Sequence, residues 1–312
     1  MKGIFNLLTL LCIVFNYIIP VSATNTISIT ENNTGVSIQM DATDKTQFAL
    51  NMTSVYENRK ESNNILEPSI EKINELLLQV PLVDEEEKEA INAELAKYGV
   101  YEYINSNEVD TVSTFAVAPD SGDVDLSAPL IYYQAWEDSW TITFGGSWNN
   151  DEWNSNSGYC GPLIPTKNVG DADAFGVGFT NTGGDYQSSV IRASAYITDI
   201  SGSPQNSTNL RTDGDGANGF GFRLQDYKSY VNLTGSVDYI GYSWSGLCTY
   251  DTYFGSYSGV ATSYYVHTYD SCTINSISFG VNGTVAGITA DLSDAAKSFI
   301  AYSSDKTFGV YN

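Results

Sequence analysis

The sequence predicts a mainly β protein, an antiparallel β-sandwich or jelly roll preceded by a small helical N-terminal region. After residue 118, short strand-like runs recur about every 8–12 residues and are separated by Gly, Asn, Asp and Ser. No convincing amphipathic helix interrupts these runs before residue 291. Helical periodicity is instead confined to residues 68–99. Such a separation of helices from strands is typical of an antiparallel sandwich carrying a small helical appendage.

Residues 1–23 have the pattern of a secretory signal peptide. Lys2 supplies a positive charge, an apolar stretch follows, and Pro20 ends it before the small residues that precede a cleavage site after Ala23. The alternative is an uncleaved membrane anchor, but the polar residues that follow favour cleavage. We therefore expect a soluble secreted or extracellular protein, free or associated with the cell surface. We expect no stable membrane insertion after signal cleavage.

The charge of the chain argues against two classes of partner. Without the leader, 13 Lys and Arg stand against 37 Asp and Glu, which gives a net charge of −24. Binding to nucleic acid requires clustered basic residues that neutralise phosphates, and the sequence has no such cluster. The same lack of basic clusters argues against an anionic membrane surface as a partner.

The region 24–118 is predicted to contain an αα-hairpin. Its first helix has an apolar stripe at three- and four-residue steps, formed by Ile70, Ile73, Leu77 and Val80. Pro68 suits the first turn of this helix, and Pro81 ends it. The second helix starts at Asp84, which has capping-box spacing to Glu87, and it can close at Gly99. The earlier residues 24–54 alternate weakly and suit either strands or disorder. We interpret the whole region as an acidic accessory segment or as a removable prosegment.

The region 119–312 is predicted to be a separate, aromatic and glycine-rich β domain. It holds all five tryptophans and 17 of the 22 tyrosines. Two strand-like runs flank Glu137 and Asp138 and predict a hairpin. A domain of this size can bury a core of its own. The linker between the two regions is expected near residues 115–125, where small residues, a proline and three aspartates follow one another.

Two glutamates of the second region, Glu137 and Glu152, are candidate catalytic carboxylates. A glycosidase needs two carboxylates about 5–10 Å apart, and tryptophan rings stack well on sugars. Four tryptophans near the glutamates are therefore candidate ligand-binding residues: Trp136, Trp140, Trp148 and Trp153. The alternative is that Glu137 occupies a hairpin turn and Glu152 a solvated loop.

A glycine-rich loop is a candidate calcium site. Asp213, Asp215 and Asn218 could supply three oxygen ligands to Ca²⁺. The segment 213–222 also resembles the segment 171–179, since both place two aspartates before a strand that alternates glycine with apolar residues. The alternative is a tight turn that feeds a strand, with the glycines leaving room for an aromatic ring of a neighbouring strand.

The pattern of cysteines and the single histidine of the chain argue against a structural zinc site and against a histidine general base. Export makes one disulfide plausible, and among Cys160, Cys248 and Cys272 we favour the pair Cys248–Cys272. No Cys-x-x-Cys motif or Cys/His cluster indicates a structural zinc site. His267 stands in a tyrosine-rich strand, where a packed and hydrogen-bonded residue is expected rather than a general base.

Two functions from different classes follow from these patterns. The first is an extracellular binding or surface-interaction module whose ligand is a glycan or a protein, because its many Tyr and Trp residues suit contact surfaces. The second is a secreted, glycosidase-like hydrolase made with an N-terminal prosegment. No cofactor is indicated with certainty, and Ca²⁺ is the candidate ion.

Overall fold

The computed structural model describes residues 27–32, 35–40, 44–104, 123–150, 158–179, 188–231, 233–269, 272–279 and 288–308. This part of the chain is mainly β, with several antiparallel sheets and a few helices, as the sequence predicts. The predicted leader, residues 1–23, and most of the expected linker lie outside the described residues. Within the described residues, no helix has the length and apolar character needed to cross a membrane.

The helices are α1 (Lys45–Glu61), α2 (Ile70–Gln79) and α3 (Glu85–Ala96). The strands are β1 (Ile27–Asn32), β2 (Gly35–Met40), β3 (Val100–Glu102), β4 (Val124–Leu126), β5 (Leu130–Gln134), β6 (Ser139–Trp148), β7 (Thr166–Asn168), β8 (Asp173–Phe179), β9 (Val190–Thr198), β10 (Pro204–Thr208), β11 (Gly219–Leu224), β12 (Tyr227–Val231), β13 (Ser236–Ile240), β14 (Ser243–Tyr250), β15 (Gly259–Thr268), β16 (Ile274–Phe279), β17 (Ile288–Leu292), β18 (Ser298–Tyr302) and β19 (Lys306–Phe308).

Helices α2 and α3 confirm the predicted helical pair. Pro68 precedes α2 rather than lying in its first turn. Ser69 caps the helix, and its hydroxyl accepts from the Lys72 amide at 3.3 Å. Asp84 caps α3 as predicted and accepts from the Glu87 amide at 3.0 Å. These side chains satisfy amide groups that have no partner inside the helix.

Helix α1 was not predicted, because the weak alternation over residues 24–54 favoured strands or disorder there. Its buried apolar residues nevertheless form a helical stripe: Phe48, Met52, Val55 and Tyr56. Polar residues interrupt the stripe, so the sequence shows no clear helical periodicity there. Strands β1 and β2 precede α1 and pair as a separate hairpin.

The strands of the described residues form five antiparallel sheets. The largest has seven strands in the order β10-β9-β14-β6-β5-β3, with β4 also paired to β6. A five-stranded sheet has the order β11-β8-β15-β18, with β19 also paired to β15. The strands β13-β12-β7 form a three-stranded sheet, and β1-β2 and β16-β17 form two hairpins. The predicted hairpin around Glu137 and Asp138 is confirmed as β5 and β6, and Asp138 adopts a positive φ of 51° in the turn.

The two faces of the seven-stranded sheet have different neighbours. On one face, Leu247 of β14 shares a cluster with Leu77 of α2, and the Thr143 hydroxyl donates to the Leu77 carbonyl at 2.7 Å. On the other face, aromatic rings contact rings of the five-stranded sheet. The inter-sheet pairs are Phe144–Phe175 at 6.2 Å, Phe144–Phe222 at 6.5 Å, Trp148–Phe299 at 5.7 Å and Trp244–Tyr265 at 3.8 Å between ring centroids. Both faces are therefore buried.

The N-terminal region is built into the same core as the later strands. Strand β3 extends the seven-stranded sheet through its pairing with β5. Phe48 of α1 packs against Tyr103 and Trp140, with ring centroids 5.3 and 6.2 Å apart. The division into regions 24–118 and 119–312 stays a prediction, because residues 105–122 lie outside the described part. The contacts nevertheless join the described residues on both sides of that boundary.

Candidate functional site

The most distinctive polar feature is a buried group of ionisable side chains formed by Asp173, Asp226 and His267, which we call the Asp–His–Asp cluster. The three side chains come from separate parts of the chain and are 3 %, 1 % and 0 % exposed. Each offers a ligand atom, and these atoms lie within 4.8 Å of one another. Buried ionisable groups are costly unless they are paired, so their grouping inside a core marks a candidate site.

Strand β15 positions His267. Tyr265 and His267 point to one side of β15, toward the main core, whereas Tyr264 and Val266 point to the other side and pack with β16 and β17. Because both sides of this strand are buried, the sequence shows no polar and apolar alternation there. The pairing of Val266 with Ala174 brings the first residue of β8, Asp173, next to His267.

The histidine and Asp173 form a close hydrogen-bonded pair. His267 Nδ1 lies 3.0 and 2.9 Å from the two carboxylate oxygens of Asp173. The Tyr265 hydroxyl donates to Asp173 Oδ2 at 2.6 Å, and the Thr268 amide donates to Oδ1 at 3.2 Å. The prediction that His267 is packed and hydrogen-bonded is therefore confirmed.

Asp226 completes the cluster from the segment between β11 and β12. Its Oδ2 accepts a hydrogen bond of 2.7 Å from the Tyr239 hydroxyl. Burial, and then the nearby Asp173 carboxylate, raise the pKa of Asp226 well above its ordinary value. Burial likewise raises the pKa values of Tyr239 and Tyr265 far above the ordinary value for tyrosine, so both hydroxyls stay neutral donors at physiological pH.

Aromatic rings enclose the other side of the imidazole. The rings of Tyr269, Trp148 and Phe299 have centroids 4.5, 5.0 and 5.6 Å from that of His267. His267 Nε2 is buried among the described residues without a hydrogen-bond partner. The arrangement offers two carboxylates and an imidazole in a buried environment, a set that can hold a proton or a cation.

Sequence reasoning identified only part of this cluster. Asp173 appeared within the segment that resembles 213–222, but it was not selected as a site residue. Asp226 was missed, because 41 positions separate it from His267 and only the strand register brings the two together. The available signal was the scarcity of histidine, since the single imidazole of an acidic chain needs a partner when it is buried.

Of the two candidate catalytic glutamates, only Glu137 lies within the described residues. Arg192 holds Glu137 in an ion pair, in which Nη1 donates to Oε2 at 3.0 Å and Nη2 donates to Oε1. The Ser139 hydroxyl also donates to Glu137, at 2.6 Å. Glu152 lies outside the described residues. The proposed pair of catalytic carboxylates therefore stays a prediction, and Glu137 is ion-paired with Arg192 among the described residues.

The candidate ligand-binding tryptophans are largely core residues. Trp140 and Trp148 are each 1 % exposed and pack inside the main core. Trp136 is half-buried, and the Arg192 guanidinium lies 5.7 Å from its ring centroid. Trp153 lies outside the described residues. Neither Trp140 nor Trp148 offers a ring face to a ligand in this structure.

The candidate calcium ligands serve as structural contacts. Asp213 forms a bidentate pair with Arg223, in which Nε and Nη2 donate to its two oxygens at 2.9 and 2.7 Å. Asp215 is exposed and accepts from the Ala217 amide at 2.7 Å, whereas the Asn218 backbone carbonyl accepts from the Phe179 amide at 2.9 Å. The alternative interpretation, a tight turn that feeds a strand, agrees with this geometry.

The predicted Cys248–Cys272 disulfide is not formed, and Cys160 is also free. Cys248 lies in the middle of β14 and faces the main core, where burial raises its pKa to about 12. Cys272 precedes β16 in a different sheet, and its thiol donates to the Asp294 carbonyl at 3.2 Å. A disulfide needs Cα atoms within about 7 Å. The sequence spacing could not show that the two strands belong to different sheets.

Comparison with known proteins identifies no family for this chain. No protein-family model matches the chain, and a search of curated protein sequences finds no significant match.

Proposed function

We propose that this protein is an exported binding protein that contacts a protein ligand through an exposed apolar end of its three-stranded sheet. Export is supported by the leader pattern of residues 1–23. We further propose that the seven-stranded and five-stranded sheets form a β-sandwich and that the three-stranded sheet is attached to this sandwich. The ring contacts between the two sheets, with Trp244 stacked on Tyr265 at 3.8 Å, support that arrangement.

The observation that carries the proposal is a set of exposed apolar side chains, which we call the apolar end. Its members and their exposed fractions are Tyr159 61 %, Leu163 89 %, Ile164 46 %, Leu233 99 % and Val237 40 %. Isolated exposed apolar residues are common on any protein surface, whereas a local group of them is typical of an interaction site.

The strand register supports the grouping of Leu163, Leu233 and Val237. Tyr230 of β12 pairs with Val237 of β13, and Leu233 lies in the turn that joins the two strands. On the other side of β12, the Tyr230 amide donates to the Pro165 carbonyl at 2.8 Å. The segment that carries Leu163 therefore runs beside the same end of β12.

A protein ligand is favoured over a glycan by the chemistry of the apolar end. Four of its five members are aliphatic, and aliphatic side chains bury well against apolar protein surface. Sugar rings stack on aromatic faces, but Trp140 and Trp148 are enclosed in the core. The hydrolase alternative receives no comparable support, since Glu137 is ion-paired with Arg192.

Photo-crosslinking in the organism that makes the protein tests the proposal. A benzophenone amino acid replaces Leu233 or, as a matched control, Leu50, which is 62 % exposed on α1. We expect a defined protein adduct from position 233 and none from position 50. We also expect Leu163→Asp to reduce the adduct at least several-fold without changing the melting temperature.

Equal labelling from positions 233 and 50, or an adduct that Leu163→Asp leaves unchanged, would contradict the proposal. Binding to a glycan array that Leu163→Asp abolishes would assign the surface to a glycan instead.

A further inference from the structure

We propose that the Asp–His–Asp cluster binds one divalent transition-metal cation, such as Zn²⁺, in the interior of the fold. The ligands are Nδ1 of His267, which faces the Asp173 carboxylate, and one carboxylate oxygen each from Asp173 and Asp226. This inference is independent of the apolar end and of its ligand.

The distances suit a shared cation. Zn²⁺ binds nitrogen and oxygen ligands at about 2.0–2.2 Å in a tetrahedral arrangement, so two of its ligand atoms lie about 3.3–3.6 Å apart. His267 Nδ1 and Asp173 Oδ2 are 2.9 Å apart, and the candidate atoms of all three residues lie within 4.8 Å of one another. Side-chain movements on the order of 1 Å would bring the three atoms to these separations.

The charge of the cluster also favours a cation. Two carboxylates are buried together, and among the ion pairs of the described residues only His267 reaches either of them. Without a cation, one of the two carboxylates must hold a proton to avoid an uncompensated buried charge. A dication balances both carboxylates, and an uncompensated buried charge is strongly unfavourable.

The Asp226 carboxylate gives a second indication. Its Oδ2 accepts from the Tyr239 hydroxyl at 2.7 Å, whereas the nearest side-chain donor to Oδ1 among the described residues is Gln225 Nε2 at 3.4 Å, and the Asp226 amide also donates to the carboxylate. Oxygens of a buried carboxylate normally have short hydrogen bonds, so Oδ1 is free to accept a cation.

Neighbouring hydroxyls already hold the carboxylates in place. The Tyr265 hydroxyl donates to Asp173 Oδ2, and the Tyr239 hydroxyl donates to Asp226 Oδ2. Such outer hydrogen bonds orient metal ligands and fix their protonation state. The combination of imidazole and carboxylate suits Zn²⁺ and related ions, whereas Ca²⁺ needs six to eight oxygen ligands.

Burial determines how the cation enters. Because all three ligands are almost completely enclosed, we expect the cation to bind while the chain folds and to leave only when it unfolds. A chelator should therefore remove little metal from the native protein and all of it from the unfolded protein.

The test refolds the full chain from guanidinium chloride with Zn²⁺ or with EDTA, followed by gel filtration. We expect about one retained Zn²⁺ per chain by mass spectrometry and a melting temperature several degrees above that of the EDTA-refolded protein. Asp226→Asn and His267→Gln should each lower retained zinc at least ten-fold. Asp171→Asn, an exposed aspartate two residues before Asp173, is the matched control and should retain as much zinc as the wild type.

Two results would overturn the proposal, and the first needs no variant to fold. One is wild-type protein that retains less than about a tenth of an equivalent of zinc and melts at the EDTA temperature. The other is folded Asp226→Asn protein that retains as much zinc as Asp171→Asn.

Discussion

Lys45 is the most completely buried cation of the described residues, and its burial has a consequence for pH dependence. The side chain is 1 % exposed, donates to the Tyr257 carbonyl and lies 5.6 Å from the ring centroid of Phe254. Burial lowers the pKa of Lys45 from 10.5 to about 7, with Asp44 opposing the shift. The folded state therefore holds this proton less tightly than the unfolded chain does.

This difference predicts the sign of a pH effect on stability. Between about pH 7 and 10.5 the unfolded chain binds more protons, so the free energy of unfolding should rise with pH in this range. From pH 7 to 9 the Lys45 contribution to that rise is about 2 kcal/mol. Lys45→Met should remove it, whereas Lys72→Met, at an exposed lysine of α2, should keep it. Urea unfolding at both pH values measures the rise, and equal rises in all three proteins would refute the prediction.

An ion pair between Asp213 and Arg223 connects the loop between β10 and β11 to β11. Asp213→Asn keeps the shape of the side chain but removes the charge that pairs with Arg223, so it should lower the free energy of unfolding by about 1–3 kcal/mol. Asp215→Asn changes an exposed residue and should cost less than about 0.5 kcal/mol. Chemical denaturation of the two variants measures the difference, and equal losses would show that the ion pair contributes nothing.

The same loop provides a calcium test. Because Arg223 already occupies both carboxylate oxygens of Asp213, millimolar Ca²⁺ should leave the melting temperature unchanged. A rise with Ca²⁺ that disappears in Asp215→Asn would restore the calcium site suggested by the sequence.

The glycines of β8 and β11 allow close packing in the five-stranded sheet. A Cβ atom on Gly176 would lie 2.1 Å from the Phe220 carbonyl oxygen and 2.8 Å from the Tyr264 ring. Gly176→Ala should therefore destabilise the protein by about 1–3 kcal/mol, the usual cost of overpacking. Thr289→Ala, at an exposed position of β17, should have little effect. Thermal melting of both variants provides the measurement, and an unchanged melting temperature for Gly176→Ala would contradict the close packing.

The strand pattern and the stripes of α2 and α3 could be predicted, because local periodicity determines them. The roles of Trp140 and Trp148 could not, because a sheet that is buried on both faces shows no alternation that separates core rings from surface rings. The Asp–His–Asp cluster depends on strand register and on the placement of Asp226, and neither is visible in local sequence. The disulfide prediction was wrong for the same reason. Pairing of two cysteines depends on which strands share a sheet, and local sequence does not show this.

The helical region and the β-rich region pack as one body in the described part of the chain. Strand β3 completes the edge of the seven-stranded sheet, α1 contributes Phe48 to the main core, and α2 covers Leu247. Loss of residues 24–104 would expose apolar surface on both faces of this sheet. If the N-terminal region were a removable prosegment, its removal would therefore leave apolar surface of the seven-stranded sheet exposed.

The shared core is tested most directly by cutting the full chain at a specific protease site placed between residues 113 and 118. We predict that the two fragments stay together in gel filtration under native conditions and unfold in a single cooperative transition. We also predict that fragment 119–312, once separated in denaturant, does not regain that transition when refolded alone. If the fragments separate without denaturant and 119–312 melts at the temperature of the intact chain, the two regions are independent domains and the shared core is refuted.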